Sequence, residues 1–191
     1  KMKKLLFLVA IISIGGILNA QVYKVNTKNS TVNWVGKKIS KKHNGTVGLK
    51  EGTFELKDDK IVSGSFLIDL DVMTDESHDD PKKPGKLIGH LKSEDFFNVE
   101  KFPYAKLEVV GSEVFEGGET KVKGKLTIKN ITHPIDFVVK RKGATFTSSM
   151  EFDRTLYDIK YGSGKFFQDI GDSAILDEIG IDVTLIAERQ R

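Results

Sequence analysis

Val122-Lys123-Gly124-Lys125-Leu126-Thr127-Ile128 alternates strictly between apolar or small residues and polar ones. Successive side chains of a strand point to opposite faces, so this stretch predicts a strand with one face in a core and one in water. Working outward, the same period returns. Phe66, Ile68, Leu70 and Val72 share one face, as do Ile135, Phe137 and Val139, and Ile181, Val183, Leu185 and Ala187. Turn-forming runs separate them: Lys57-Asp58-Asp59-Lys60, Glu116-Gly117-Gly118-Glu119 and Lys142-Gly143-Ala144. Asn130-Ile131-Thr132-His133-Pro134 joins two more runs, with the proline expected at a strand start.

Strands are expected near residues 22–28, 31–39, 45–57, 60–72, 102–115, 119–130, 134–142 and 145–153, with a final one at 179–189. No internal repeat appears, and no segment is long enough for a series of βαβ crossovers. An antiparallel meander of this kind hides its edges by closing on itself. The expected class is therefore all-β, an extended eight-stranded antiparallel barrel. Eight strands leave an interior that side chains fill or that holds one small ligand.

Two regions break the alternation. Residues 74–100 hold an acidic loop with Pro81 and Pro84, then a short helical piece around Leu87 to Phe97. Residues 154–178 hold Gly162, Gly164 and Gly171 with Phe166 and Phe167. Both are long and carry apolar residues, so they read as flaps at one mouth rather than solvated connectors. Twelve Phe, four Tyr and one Trp accompany them. Trp34, Phe66, Phe102, Phe137 and Phe152 lie on strand candidates, and each alone fits a filled core. Leu87, Leu91, Phe96 and Phe97 on one flap and Phe166 and Phe167 on the other would be superfluous over a full barrel. Together they predict a lid over an elongated apolar cavity of ordinary ligand-pocket size. At the mouth, His90 and Arg154 are candidates to donate hydrogen bonds to a ligand headgroup. Pairing with Asp153 or Asp158 is the structural alternative for Arg154, and capping the local helix is that for His90.

Catalytic patterns are sparse. The chain has no cysteine, so thiolate catalysis and disulfides are excluded. His43, His78, His90 and His133 lack metal-ligand spacing, and Glu76-Ser77-His78-Asp79-Asp80 reads as a solvated acidic loop. No nucleophile elbow, phosphate-binding loop or dinucleotide fingerprint is present. His90 with Asp95 is the one pair that would orient an imidazole as a general base, without an identifiable nucleophile. No metal, catalytic residue or cofactor is expected.

The first twenty residues read as an export signal. Lys1, Lys3 and Lys4 precede an apolar run from Leu5 to Leu18, and Ala20 precedes an expected cut before Gln21. The apolar run is shorter than the ~20 residues a spanning helix needs, and an uncleaved anchor is the alternative. Residues 1–20 hold three Lys and no acid, so the 30 Lys+Arg and 27 Asp+Glu of the chain become 27 against 27 in residues 21–191. Without a net basic field, nucleic acid is not an expected partner. Residues 21–191 are expected to form one domain in the periplasm or outside the cell.

Several segments resemble the YceI-like family. Gly89-His90-Leu91-Lys92-Ser93 with Asp95-Phe96-Phe97 and Lys101-Phe102-Pro103 is the most specific match. Val32-Asn33-Trp34-Val35-Gly36, His43-Asn44-Gly45-Thr46 and Ile68-Asp69-Leu70-Asp71-Val72-Met73 are similar to earlier family segments. Val122 to Thr132 resembles the family's V-x-G-x-L-T-x-x-G-x-T hairpin, with Asn130 at the second glycine. Phe152-Asp153-Arg154 with Tyr157 and Ile159 resembles its F-x-R-x-x-F-G-I motif, with substitutions. The resemblance implies a lipocalin-like barrel that binds a polyisoprenoid or related amphiphilic lipid. The sequence leaves transient membrane contact open. Lipocalins proper carry glycine two residues before the first-strand tryptophan, where this chain has Val32, so that likeness is architectural. An enzyme acting on a lipid headgroup with His90 as base, and a structural or stress-related domain with a filled core, are the other readings. The sequence leaves homodimer formation open.

Overall fold

The computed structural model describes residues 20–77, 85–168 and 171–190. Residues 1–19 of the expected leader and residues 78–84 of the acidic loop, with Pro81 and Pro84, therefore lie outside the described residues. The described elements are β1 (Gln21–Val25), β2 (Thr31–Lys37), β3 (Lys42–Lys57), β4 (Lys60–Asp69), α1 (Lys86–Lys92), β5 (Tyr104–Ser112), β6 (Glu119–Ile128), β7 (Ile131–Lys142), β8 (Thr145–Asp153) and β9 (Glu178–Arg189).

Every strand pairing is antiparallel, and the order β3-β2-β9-β8-β7-β6-β5-β4 returns to β3. β1 pairs with the same two strands as β2, namely β3 and β9, at different registers. Nine strands thus occupy eight positions of a closed barrel. Register shifts at Leu49/Glu51, Glu55/Leu56 and Val109/Gly111 mark bulges, which bend strands as closure requires.

The alternation in β6 is realised without exception. Val122, Gly124, Leu126 and Ile128 are buried, while Lys121, Lys123 and Lys125 face water. Tight turns fix the registers. Asp58 and Asp59 have φ of 52° and 54°, and Lys129 and Asn130 of 49° and 61°. Paired positive φ is the signature of the type I′ hairpin, whose twist matches that of the strands.

Several element boundaries differ from the sequence expectation, the helix ending at Lys92 rather than near Phe97, and two of the strand differences reorient residues. β4 ends at Asp69 because the backbone turns there: Leu70 N–H donates to Pro103 O at 2.9 Å and Met73 N–H to Leu70 O at 3.4 Å. Val72 consequently points to solvent and Met73 goes inside. β7 begins at Ile131, so Pro134 lies within it. The strand tolerates this because β8 joins β7 only from Val138 onward, and the missing N–H falls on an unpaired edge.

The two ends of the barrel differ. At the β1 end, Tyr23 stacks on Phe54 with centroids 5.1 Å apart, and Phe146 meets Phe54 edge-on at 4.9 Å. These rings plug the interior. The long β4–β5 and β8–β9 connectors both lie at the opposite end. The first lies tightly against β3: a Cβ on Gly45 would sit 2.0 Å from Thr74 O, so only glycine admits this contact.

Candidate functional site

Between the aromatic plug and the β4–β5 connector lies a cavity of about 160 Å³. Apart from Thr147 and Ser148, the described residues in its wall are apolar. Trp34 belongs to the wall, and its indole N–H is satisfied by Thr74 O at 3.0 Å. Such a space is dry, since water needs several polar partners. Its volume falls below the roughly 300–1,000 Å³ of ordinary ligand pockets, which corrects the size expected from sequence. It is close to the ~150 Å³ engineered cavity that accepts benzene. A longer chain must turn wall side chains aside.

Of the residues expected to meet a ligand, Trp34, Phe66, Leu91, Phe97, Phe137 and Phe152 line the cavity. Leu91 and Phe97 come from α1 and the segment after it, so that connector is a lid in place. Phe97 N–H donates to Leu91 O at 3.0 Å, which curls the chain back over the mouth. Leu87 packs against the core without lining the cavity, and Phe96 is buried against the rings of His90 and Tyr161. Phe102 is half-buried in the turn before β5, outside the wall.

Phe166 and Phe167 are 51 % and 46 % exposed and do not cover the cavity. The second connector is held instead by Arg154, which corrects its expected place at the headgroup. Arg154 is 1 % exposed. Its Nε–H donates to Leu176 O at 3.2 Å, and its Nη1 donates to Ile159 O and Tyr161 O, both at 2.9 Å. Its Nη2 donates to Ile175 O at 3.1 Å and to Asp177 Oδ1 at 3.3 Å. These bonds use all five N–H groups of a guanidinium, leaving none for a ligand. Burial lowers the Arg154 pKa, opposed by the nearby Asp177. Burial also pushes the Asp153 carboxyl up, but bonds from Lys165 and Thr155 outweigh this and hold it below its ordinary value.

The 3-10 turn Arg154–Tyr157 begins at Asp153, whose carboxylate accepts from Thr155 N–H at 2.8 Å, and ends at Asp158, with φ of 57°. It seals a split in the wall. Beyond Ser149, β8 leaves β7, and Tyr157 fills the gap edge-on to His133 of β7 and Phe152 of β8. Burial raises the Tyr157 phenol to about 12. A raised folded pKa gives stability that is complete below the unfolded value of 10.0 and is lost as pH rises toward 12. The loss should reach about 2–3 kcal/mol. Tyr157→Phe should flatten this alkaline slope in denaturant titrations between those pH values. An unchanged slope would assign it to other groups.

His90 Nε2 lies 3.3 Å from Asp95 Oδ2, as an oriented imidazole requires. Its ring also abuts Phe96 at 4.9 Å and Tyr161 at 4.5 Å. Ser93 Oγ–H donates to the His90 backbone carbonyl at 2.8 Å rather than to its imidazole, and among the described residues no cluster of three metal-ligating side chains occurs. Sequence reasoning missed Met73, Leu107, Met150, Ile181, Val183 and Leu185 as wall residues. The alternation of β9 already marked three of these as inward. It also missed Asp177 and Tyr161, for which no local signal exists.

The YceI-like domain model matches residues 23–187. The chain belongs to the YceI-like family. A UPF0312 protein of Vibrio cholerae is 31 % identical over 146 residues, covering 70 % of this chain and 71 % of that protein. Among solved structures, Burkholderia cenocepacia BcnA has a TM-score of 0.61 at 21 % identity, covering 84 % of this chain and 98 % of its own. A polyisoprenoid binding domain from Saccharophagus degradans, implicated in plant cell wall breakdown, has 0.59 at 14 %, covering 88 % and 98 %. The Campylobacter jejuni YCEI protein has 0.53 at 14 %, covering 82 % and 84 %. These likenesses show the fold. Counting along the family's F-x-R-x-x-F-G-I motif, Asp158 stands at its glycine, as Asn130 does in the hairpin motif. Both positions have positive φ. Asp and Asn adopt the left-handed region most readily after glycine, so both departures from the YceI-like pattern keep the backbone.

Proposed function

We propose that the protein is an exported binding protein that holds the tail of a polyisoprenoid or related amphiphilic lipid, of the isoprenoid quinone or polyprenyl phosphate type, and does no chemistry on it. One observation carries this reading: a dry apolar cavity, plugged by aromatic rings at one end, with Leu91 and Phe97 over the other. The polyisoprenoid binding domain of Saccharophagus degradans, which shares the fold, supports the ligand class. Burial would contribute about 25 cal/mol per Å² of apolar surface removed from water. With Arg154 committed to protein carbonyls, headgroup selection falls to the half-exposed His90 at the lid. Export rests on the N-terminal pattern Lys1 to Ala20, and N-terminal sequencing of protein from an exporting host should begin near Gln21. The full chain in the membrane would make that segment an anchor.

The small cavity volume is the observation that favours the other reading, a nearly filled structural core. Organic extraction of the purified protein followed by mass spectrometry separates the two. A co-purifying isoprenoid is expected, and an empty extract would favour the filled core. Phe97→Asp should lower the extracted amount severalfold or more while the barrel still folds, because an unpaired carboxylate against the ligand costs more than the roughly 1–3 kcal/mol of a neutral unpaired polar group. Undiminished occupancy would show that the lid does not touch the ligand.

A further inference from the structure

The β2–β3 hairpin tip reads Lys37-Lys38-Ile39-Ser40-Lys41-Lys42. Ile39 is 61 % exposed. All four lysines are exposed, and among the described residues none of them forms an ion pair. The tip stands beyond the barrel rim, because Lys42 to Val47 pair with β2 while the β4 ladder starts only at Gly48. It is joined to the β8–β9 connector: Ile39 N–H donates to Ala174 O at 3.3 Å, and Leu176 N–H to Lys37 O at 2.8 Å. That connector exposes Tyr161, Phe166, Phe167 and Leu176. Of its described acids, Asp158 pairs with Lys160 and Asp177 with Lys165, which leaves the exposed Asp172 against the four lysines of the tip. Scattered exposed apolar residues are ordinary, but a group rimmed by cations at one end marks an interaction surface.

We propose that this end docks on an anionic lipid bilayer, with Ile39, Phe166 and Phe167 in the headgroup layer and the four lysines against lipid phosphates. Charge chooses the occupant. Two copies meeting here would oppose their lysine clusters, whereas anionic lipid attracts juxtamembrane lysines. Strands do not enter the bilayer, because the outer face of β6 carries Lys121, Lys123 and Lys125 where a membrane barrel carries an apolar band. Docking brings the lidded end of the cavity to the membrane, but it does not rest on what the cavity holds.

Co-sedimentation with phosphatidylglycerol-containing vesicles, against vesicles of phosphatidylcholine alone, tests this. Binding to the anionic vesicles should weaken steeply with salt. Replacing Lys37, Lys38, Lys41 and Lys42 with Gln should weaken it about fivefold per lysine. Ile39→Ser should weaken it severalfold at constant salt dependence. Thermal melts of both variants should match wild type, since the tip is outside the closed ladder. Equal binding to both vesicles, no binding to either, or variants that bind like wild type would overturn the proposal. A concentration-dependent dimer lost in Ile39→Ser would assign the surface to a second copy instead. Solvent extraction reads the cavity separately, so either idea can fail alone.

Discussion

Replacing Arg154 with leucine should cost about 3–5 kcal/mol of stability, the usual result of removing one partner of a buried ion pair. Asp177, 7 % exposed, would keep only Lys165, whose Nζ lies 3.2 Å from its Oδ2. The carbonyls of Ile159, Tyr161, Ile175 and Leu176 would lose their guanidinium donors together. For a domain of this size each kcal/mol lowers the melting temperature by about 2–4 °C. A fall of roughly 10 °C is therefore expected in a calorimetric scan. Arg154→Lys should recover little, because three donors on a point charge cannot span the fork of acceptors. A lipid with a polar head and a matched headless hydrocarbon should be affected alike, since the guanidinium reaches neither. A variant melting with wild type would show that those carbonyls find other donors.

Met150→Trp should leave the barrel folded and empty it of lipid. Met150 lies on β8 and faces the cavity, half-buried. An indole is bulkier than the thioether chain it replaces and takes up a substantial part of a space of about 160 Å³. Overpacking a core usually costs about 1–3 kcal/mol, which a barrel closed on eight positions should survive. Extracted lipid should fall by tenfold or more, while Met150→Leu, close in volume, should retain it. Retention of lipid by Met150→Trp at wild-type level would place the ligand elsewhere.

Strands were legible wherever a face is defined by water. Val122 to Ile128 could be assigned residue by residue because Lys121, Lys123 and Lys125 mark the outer side. Ends were less legible, because alternation persists after the ladder stops. Val72 continued the pattern of Phe66, Ile68 and Leu70, yet hydrogen bonds at Leu70 and Met73 turned it out. The aromatic pairs on the two flaps looked equivalent in sequence. Phe96 and Phe97 follow a helix that curls back over the mouth, so they are drawn in. Phe166 and Phe167 follow a turn built on Ser163, whose carbonyl accepts both of their N–H groups, and the rings stay outside. Arg154 was misplaced for a different reason. Its acid lies 23 residues away on the far side of a connector, and no local rule relates them.

In the proposed function, the barrel interior receives an isoprenoid tail. The chain's one tryptophan, Trp34, lines that interior, with its N–H held by Thr74 O. Delipidated protein titrated with an isoprenoid quinone, itself a fluorescence quencher, should lose Trp34 emission saturably at one ligand per chain. A short quinone without the isoprenoid tail should quench only in proportion to its concentration. Linear, unsaturable quenching by both would contradict the account.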